Sequence, residues 1–274
     1  MAMKAYSVII IVLSISIGLF SCDQVENTNK INLPFQNPVI INEYVKDSVR
    51  GFQSTSLTEA SPLFAGKYKF SDTFFIYKKR FFYSKNRNDL IVKSAALYSD
   101  SLQTDGFELI PDYSSNIFYN EYAGTYTYYP VYIVNQTPTT KKFTAKDNYT
   151  FGIQEALDTN GRWRPIEGKF FDFCGNGYWG MKVHSREFIA VLFPKYTGDY
   201  RTKIRVRIKI GNNIYVSKGF DGRINESQLY LKKDSYLYDA LVENKASAIT
   251  YLFYGAEPFG TDDKDFGLHA VWTE

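Results

Sequence analysis

The chain has 274 residues, with 32 Lys and Arg against 29 Asp and Glu, and 18% of its residues are aromatic. A formal net charge of +3 lacks the cationic excess of nucleic-acid-binding domains, so the composition argues against a nucleic-acid partner. Two cysteines are too few for a disulfide framework. The 23 Tyr and 22 Phe favour half-buried pleated surfaces, so we predict an all-β protein with one large or two small domains.

The N-terminus has the features of a secretory leader. Lys4 precedes an apolar stretch, Ala5 to Phe20, which is shorter than the roughly 20 apolar residues of a membrane-spanning helix. The run Leu19-Phe20-Ser21-Cys22 resembles a lipobox, the cleavage site of bacterial lipoprotein signals. This resemblance implies a signal peptide over residues 1–21, acyl chains such as palmitate on Cys22, and a lipid anchor in the outer membrane on its periplasmic side or at the cell surface.

Two segments of different composition follow the predicted cleavage site. Residues 22–45 are rich in Asn and contain prolines, which is typical of a tether. Residues 46–104 predict a smaller aromatic β segment, with strand signals at Lys67–Phe70, Thr73–Tyr77 and Leu90–Val92.

Residues 105–225 carry the clearest strand signals. Phe151 to Leu157 and Trp163 to Ile166 flank an Asp-Thr-Asn-Gly-Arg segment, and Asn-Gly between apolar runs predicts a hairpin. From Lys203 to Ile210 apolar and charged residues alternate, which predicts a strand with one face in the core and one in water. Further strands are expected at Phe107–Ile110, at Pro130–Asn135 with the proline at the edge where the strand is entered, at Glu187–Phe193 up to Pro194, and at Ile214–Val216 after a Gly-Asn-Asn turn.

Short strands joined by turns, without a long amphipathic helix, predict a β-sandwich. Residues 226–274 are interpreted as a short C-terminal extension. Asp234 to Lys245 fits a short helix capped by Asp234, whereas Ala248 to Tyr254 and Gly267 to Trp272 fit a closing strand pair.

Several phrases of this chain together resemble uncharacterised envelope lipoproteins of Bacteroidetes-type bacteria. They are YPVYIVNQT at 129–137, IQEALDTNGRWRPIE at 153–167, CGNGYWGMKV at 174–183 and FPKYTGDYRTKIRVRI at 193–208. The resemblance covers residues 105–225 and implies an immunoglobulin-like β-sandwich there. It carries over no catalytic residue.

The spacing of the reactive residues predicts no catalytic, metal or cofactor site. The serines lack the Gly-x-Ser-x-Gly turn of a hydrolase nucleophile, and the thiol lacks a second ligand at zinc-site spacing. An acidic cluster suggests part of a calcium loop but fits an exposed hairpin tip better. The residues weighed are the triad candidates Ser185, Ser217, His184 and His269, the thiol Cys174, and the acidic cluster Asp262, Asp263 and Asp265.

Glycoside hydrolysis needs two carboxylates that flank a cleft. The candidates lie on or near one predicted hairpin and are Glu155, Asp158, Glu167 and Asp172. Strand alternation scatters carboxylates in this way on any soluble sheet, so the spacing does not single out a catalytic pair.

The most unusual polar feature is a basic stripe, which consists of Lys203, Arg205, Arg207 and Lys209. Cations two residues apart share one strand face, which makes them a candidate binding face for an anionic glycan, lipid headgroups or an acidic partner. Alternatively they pair with acids on neighbouring strands. A run of tyrosines also has two interpretations, either packing within strands or an aromatic surface on which a sugar binds. These residues are Tyr119, Tyr122, Tyr126, Tyr128 and Tyr129.

We therefore expect a non-enzymatic, lipid-anchored protein of the cell envelope that binds an envelope protein or a glycan, or has a structural role. The alternatives are a periplasmic immunity or inhibitor lipoprotein and a glycan-acting hydrolase. We expect no cofactor.

Overall fold

The computed structural model describes residues 34–42, 49–76, 90–91, 102–121, 124–170 and 176–261, which are mostly β-strand. The strands are, in chain order, β1 (Ile40–Asn42), β2 (Val49–Arg50), β3 (Thr58–Ala60), β4 (Leu63–Lys69), β5 (Phe74–Ile76), β6 (Leu90–Ile91), β7 (Glu108–Pro111), β8 (Ile117–Glu121), β9 (Gly124–Asn135), β10 (Lys141–Lys146), β11 (Phe151–Leu157), β12 (Trp163–Pro165), β13 (Glu167–Lys169), β14 (Tyr178–Val183), β15 (Glu187–Pro194), β16 (Tyr200–Ile210), β17 (Asn213–Val216) and β18 (Phe220–Ile224). The predicted all-β class is confirmed at this level.

The central sheet has the order β2-β9-β15-β4, and β7 and β8 pair with β9 along the edge opposite β15. Strands β9 and β15 run antiparallel with Ile133 opposite Ile189. Successive residues of both strands are buried, because one core cluster covers each face of this sheet. This double burial explains why their sequences are continuous apolar runs rather than alternating ones.

The prediction that the strand is entered at Pro130 is wrong, because β9 begins at Gly124 and Pro130 lies inside it, with neighbouring strands on both sides. Pro130 accepts a hydrogen bond from the Asp112 backbone N–H at 2.9 Å, where the chain leaves β7 before it returns as β8. A residue's N–H and C=O point to the same side of a strand, so the donor that proline lacks would face this interruption. The sheet therefore tolerates proline in a central strand.

The second sheet has the order β12-β11-β16-β17, with β18 paired to the first part of β16. The predicted alternation of β16 is confirmed, since Ile204, Val206, Ile208 and Ile210 are all buried. Val206, Ile208 and Ile210 share one core cluster with side chains from β9 and β15. The predicted hairpin is also confirmed, with Leu157 opposite Trp163 and Gly161 at a φ of +75° in the turn.

Strands from the predicted aromatic segment, residues 46–104, pair with strands of the predicted sandwich segment. Strand β4 pairs with β15, and β3 runs parallel to β13. Part of the predicted tether also lies against this body, because Phe35 packs on Phe70 and Phe188 with ring centroids 5.2 Å apart in both cases.

The C-terminal part of the described chain contains a 3-10 helix, Glu226–Leu229, and the helix α1, Tyr236–Leu252. The Ser235 hydroxyl, rather than Asp234, caps α1 by accepting from the Tyr238 backbone N–H at 3.3 Å. A strand from Ala248 to Tyr254 is wrong, since the chain is helical up to Leu252. After a kink at Asn244, the buried Ala248 and Leu252 repeat the four-residue spacing of the buried Leu237 and Leu241. Within the described ranges no helix is long and apolar enough to cross a membrane.

Candidate functional site

The structure divides the predicted basic stripe among three different environments. Lys203 forms an exposed ion pair with Asp221 at 2.8 Å. Arg205 and Arg207 both bind the carboxylate of Glu155. Lys209 places its ammonium group 6.0 Å from the centre of the Tyr251 ring. The four cations therefore do not act as one continuous anion-binding surface.

The Glu155 carboxylate is held between two guanidinium groups. Arg205 donates to it at 2.8 and 3.0 Å, and Arg207 donates twice at 3.2 Å. The side chain of Glu155 is 1% exposed, and Arg205 also stacks over the ring of Trp163 at 4.4 Å. Because both oxygens are engaged in bidentate pairs, this carboxylate joins β11 to β16 rather than facing an open cleft.

Glu167 lies in the core within a closed polar network. Its carboxylate accepts hydrogen bonds at 2.8 Å from the Tyr196 hydroxyl and from the backbone and side-chain N–H groups of Gln154. Gln154 in turn accepts from the Tyr129 hydroxyl at 2.8 Å. Burial raises the pKa of Glu167 to about 7, although these donors oppose the shift.

Asp158 organises the turn between β11 and β12. It accepts from the backbone N–H groups of Asn160 and Arg162 at 2.9 and 2.8 Å and from Arg164 at 3.2 Å. Burial acts to raise the pKa of Asp158, but these hydrogen bonds and the Arg164 charge outweigh it and hold the pKa below its usual value. Asp172, the fourth hydrolase candidate, lies outside the described residues.

The triad candidates that the structure describes are not hydrogen-bonded to one another in any contact it shows. His184 is exposed, and its Nδ1 lies 3.0 Å from the Thr140 hydroxyl. The Ser217 hydroxyl accepts from the Val206 backbone N–H and donates to the Lys218 carbonyl. Ser185 is exposed in the turn next to His184.

Several residues weighed from the sequence lie outside the described ranges. They are Cys22, Tyr122, Cys174, His269 and the acidic cluster Asp262, Asp263 and Asp265. In the part of the chain that the structure describes, no group of three His, Cys, Asp or Glu side chains is arranged to hold a metal ion. The predicted tyrosine run has four members within the described residues. Tyr128 and Tyr129 are buried in the core clusters, and Tyr119 and Tyr126 pack against the cluster that contains Tyr128.

A cleft of about 840 Å³ lies where the ends of β11, β14 and β16 meet the last turns of α1. We call it the aromatic cleft because Phe151, Tyr178, Trp179, Tyr251 and Tyr254 line it. Phe151 and Tyr178 stack with centroids 5.8 Å apart. Tyr178 and Tyr251 are 40% and 62% exposed, so the cleft presents ring surface to solvent.

Polar groups on two connections complete the aromatic cleft. The Asn213 side chain donates to the Thr104 hydroxyl at 2.8 Å, which ties the turn after β16 to the segment before β7. Gly211 has a φ of +59°, and its N–H donates to the Thr144 hydroxyl at 3.1 Å. Asn212 and Lys209 also line the cleft. Hydrogen-bonding groups beside flat apolar rings suit a ligand that has both hydroxyl groups and apolar ring faces.

This cleft was not predicted from the sequence. Lys209 and the Gly-Asn-Asn turn were recognised, but Tyr178, Trp179 and Tyr251 had no predicted role. Tyr251 was assigned to a strand that is in fact part of α1. Had the helix been predicted to extend past Tyr251, this residue would have stood out as an exposed aromatic side chain on a helix, which is a sign of a binding surface.

Comparisons of the chain with protein-family models, with curated proteins and with solved structures found no match.

Proposed function

We propose that this chain is a lipid-anchored protein of the cell envelope that binds carbohydrate in the aromatic cleft without cleaving it. The observation that carries the proposal is the exposed ring surface of Tyr178 and Tyr251 beside polar groups of the turn after β16. The C–H face of a sugar ring packs on an aromatic face while its hydroxyl groups exchange hydrogen bonds with side-chain amides and lysine.

The non-catalytic part of the proposal is supported by the carboxylates of the described chain. The carboxylate that lines the aromatic cleft is Asp105, and it pairs with Lys141 at 2.8 Å. Glu155 and Glu167 are held in the networks described above and do not line the cleft. Glycoside hydrolysis with two flanking carboxylates would need a second acid there.

The location is proposed from the sequence. The leader and Cys22 are similar to a lipoprotein signal, and this similarity supports a location of the folded body outside the cytosol, on the outer membrane. An immunoglobulin-like sandwich for residues 105–225, and membership among Bacteroidetes-type envelope lipoproteins, belong to the same proposal. They are supported by the two sheets that share a core and by the phrases quoted above.

A glycan array followed by calorimetry on the bound oligosaccharides tests the proposal. We expect Tyr178→Ala and Tyr251→Ala each to weaken binding about tenfold, since each removes one ring face. Tyr230→Ala is the matched control, because Tyr230 is 44% exposed and does not line the aromatic cleft. It should leave the affinity within about twofold of wild type.

Three results would contradict this function. Wild-type protein that binds no oligosaccharide of the array, or binds one equally well in both cleft variants, would remove the site. Release of shorter products from a bound oligosaccharide would show catalysis instead. Capture of a protein partner that both cleft variants still bind would show that the protein binds its partner through a surface other than the aromatic cleft.

A further inference from the structure

Two arginines face each other across neighbouring strands in a second cleft. Arg201 of β16 lies directly opposite Arg223 of β18 in the antiparallel register, and both are exposed. Like charges at directly opposed positions destabilise a sheet. The next pair along these strands, Lys203 and Asp221, is complementary and joined by an ion pair at 2.8 Å. The Arg201–Arg223 pair therefore costs stability where its neighbour does not.

We call the surrounding space the arginine cleft. Its volume is about 990 Å³, and its charged lining residues are Asp158, Lys195, Arg201, Lys203, Asp221 and Arg223. Both acids have other partners, Arg164 at 3.2 Å for Asp158 and Lys203 for Asp221. Among the described residues no carboxylate lies within ion-pair distance of Arg201 or Arg223.

Lys195 is already engaged by the protein. Its ammonium group donates to the Tyr113 carbonyl at 2.6 Å and to the Asn116 side chain at 2.8 Å, and it lies 4.5 Å from the centre of the Tyr113 ring. Within the described residues and apart from Lys195, the two guanidinium groups are therefore the cations of this cleft without an ion-pair partner.

We propose that the arginine cleft binds a phosphate monoester through Arg201 and Arg223. Each guanidinium is a planar fork that matches phosphate oxygens in a bidentate geometry. Opposed residues of an antiparallel pair have Cβ atoms about 5 Å apart, so both forks can reach one phosphate group. A phosphate monoester carries a charge of about −1.5 to −2 at neutral pH, which matches the two positive charges of the arginine pair, whereas a carboxylate ligand would match only one of them. A bound phosphate group would offset the repulsion between the Arg201 and Arg223 guanidinium groups.

Calorimetric titration of the full chain with glycerol 3-phosphate, with glycerol as the uncharged control, tests this site. We expect binding of the phosphate compound only, weakened about tenfold or more in Arg201→Gln and in Arg223→Gln. Lys218→Gln removes an exposed cation that lines neither the aromatic nor the arginine cleft, and it should change the affinity less than twofold. Without ligand, both arginine variants should melt about 1 °C higher than wild type, because the like-charge repulsion is gone.

A second arm distinguishes a free phosphate compound from a lipid headgroup. Phosphatidylcholine vesicles with and without phosphatidic acid are sedimented with the Cys22→Ser chain, so that an acyl anchor does not contribute. Selective co-sedimentation with phosphatidic acid, lost in the arginine variants, assigns a lipid; glycerol 3-phosphate binding alone assigns a free compound.

The proposal is overturned if wild type binds neither phosphate probe, or if both arginine variants bind as wild type does. Equal loss in Lys218→Gln would show general charge attraction and would also overturn it. Arginine variants that melt lower than wild type would assign the pair a structural role. None of these outcomes depends on carbohydrate binding in the aromatic cleft.

Discussion

At the scale of single residues, Glu167 shows how burial changes the chemistry of a carboxyl group. It is fully buried, and its hydrogen-bond donors come from Gln154 and Tyr196. Burial raises its pKa to about 7, whereas an ordinary glutamate has 4.5. A proton is therefore bound by the folded chain and released by the unfolded chain between these two values.

This shift predicts that the free energy of unfolding falls as the pH rises from about 4.5 to about 7. The folded state binds more protons in this window, so the slope of stability against pH contributed by Glu167 is negative, and it totals about 3 kcal/mol. Urea unfolding of wild type and Glu167→Gln at several pH values measures it. The difference in unfolding free energy between the two should change by that amount across the window. A constant difference would contradict the assignment.

The sequence identified Glu167 as a carboxylate near a hairpin but did not identify its partners. Tyr196 follows the buried strand β15 in a connecting segment, and Tyr129 belongs to a central strand that is buried on both faces. Pairing of β11 with β16 and packing of both sheets bring these groups together. No spacing along the chain records such a contact.

At the scale of elements, strands β11 and β16 are joined by charge as well as by backbone hydrogen bonds. Glu155 lies opposite Arg205 in the register and also reaches Arg207, the next residue on the same face. The side chains of Arg205 and Arg207 are 20% and 15% exposed, so both charges are largely removed from water. The three groups depend on one another for their neutralisation.

We expect Glu155→Gln to lower the free energy of unfolding by about 2–3 kcal/mol, because it leaves two partly buried guanidinium groups without a counter-charge. Asp221→Asn breaks the exposed pair with Lys203 and should cost less than about 1 kcal/mol. Chemical denaturation of both variants gives the comparison. Equal losses would mean that burial does not decide the strength of these pairs.

Elements with a local signal were predicted well, and elements that depend on context were not. Strand β16 and the hairpin after β11 follow from alternation and from Asn160-Gly161, which are properties of neighbouring residues. The position of Pro130 was misjudged because its tolerance in β9 depends on where another strand is interrupted. The end of α1 was misjudged because a β-rich context outweighed the spacing of Ala248 and Leu252.

At the scale of the whole molecule, the proposed anchor and the two proposed clefts rest on different kinds of information. The anchor depends on a short contiguous run that ends at Cys22. The aromatic cleft is lined by residues as far apart in the chain as Thr104 and Tyr254. The arginine cleft combines side chains of β16 and β18 with the segment after β15.

We expect Cys22→Ser to abolish palmitate labelling and to move the protein from the membrane fraction to the soluble fraction, because stable anchoring needs acyl chains on this thiol. Mass spectrometry of wild type should also show a chain that begins at Cys22. Lys218→Gln, which leaves the leader and Cys22 unchanged, serves as a control for labelling. Unchanged palmitate labelling together with unchanged sedimentation of Cys22→Ser would contradict the anchor.

The amino-acid sequence by itself determined the β-rich class, the alternating strand β16, the hairpin turn after β11 and the turn after β16. Each of these depends on the periodicity or the backbone preference of adjacent residues. Tertiary structure alone decided that Glu155 is enclosed by two arginines, that Glu167 is buried among tyrosines, and that Tyr178 and Tyr251 line the same cleft. These contacts join residues far apart in the chain, and their geometry follows from strand register and from the packing of α1. The register and the packing are those that give the whole folded body its lowest free energy, so no single segment of the sequence specifies them.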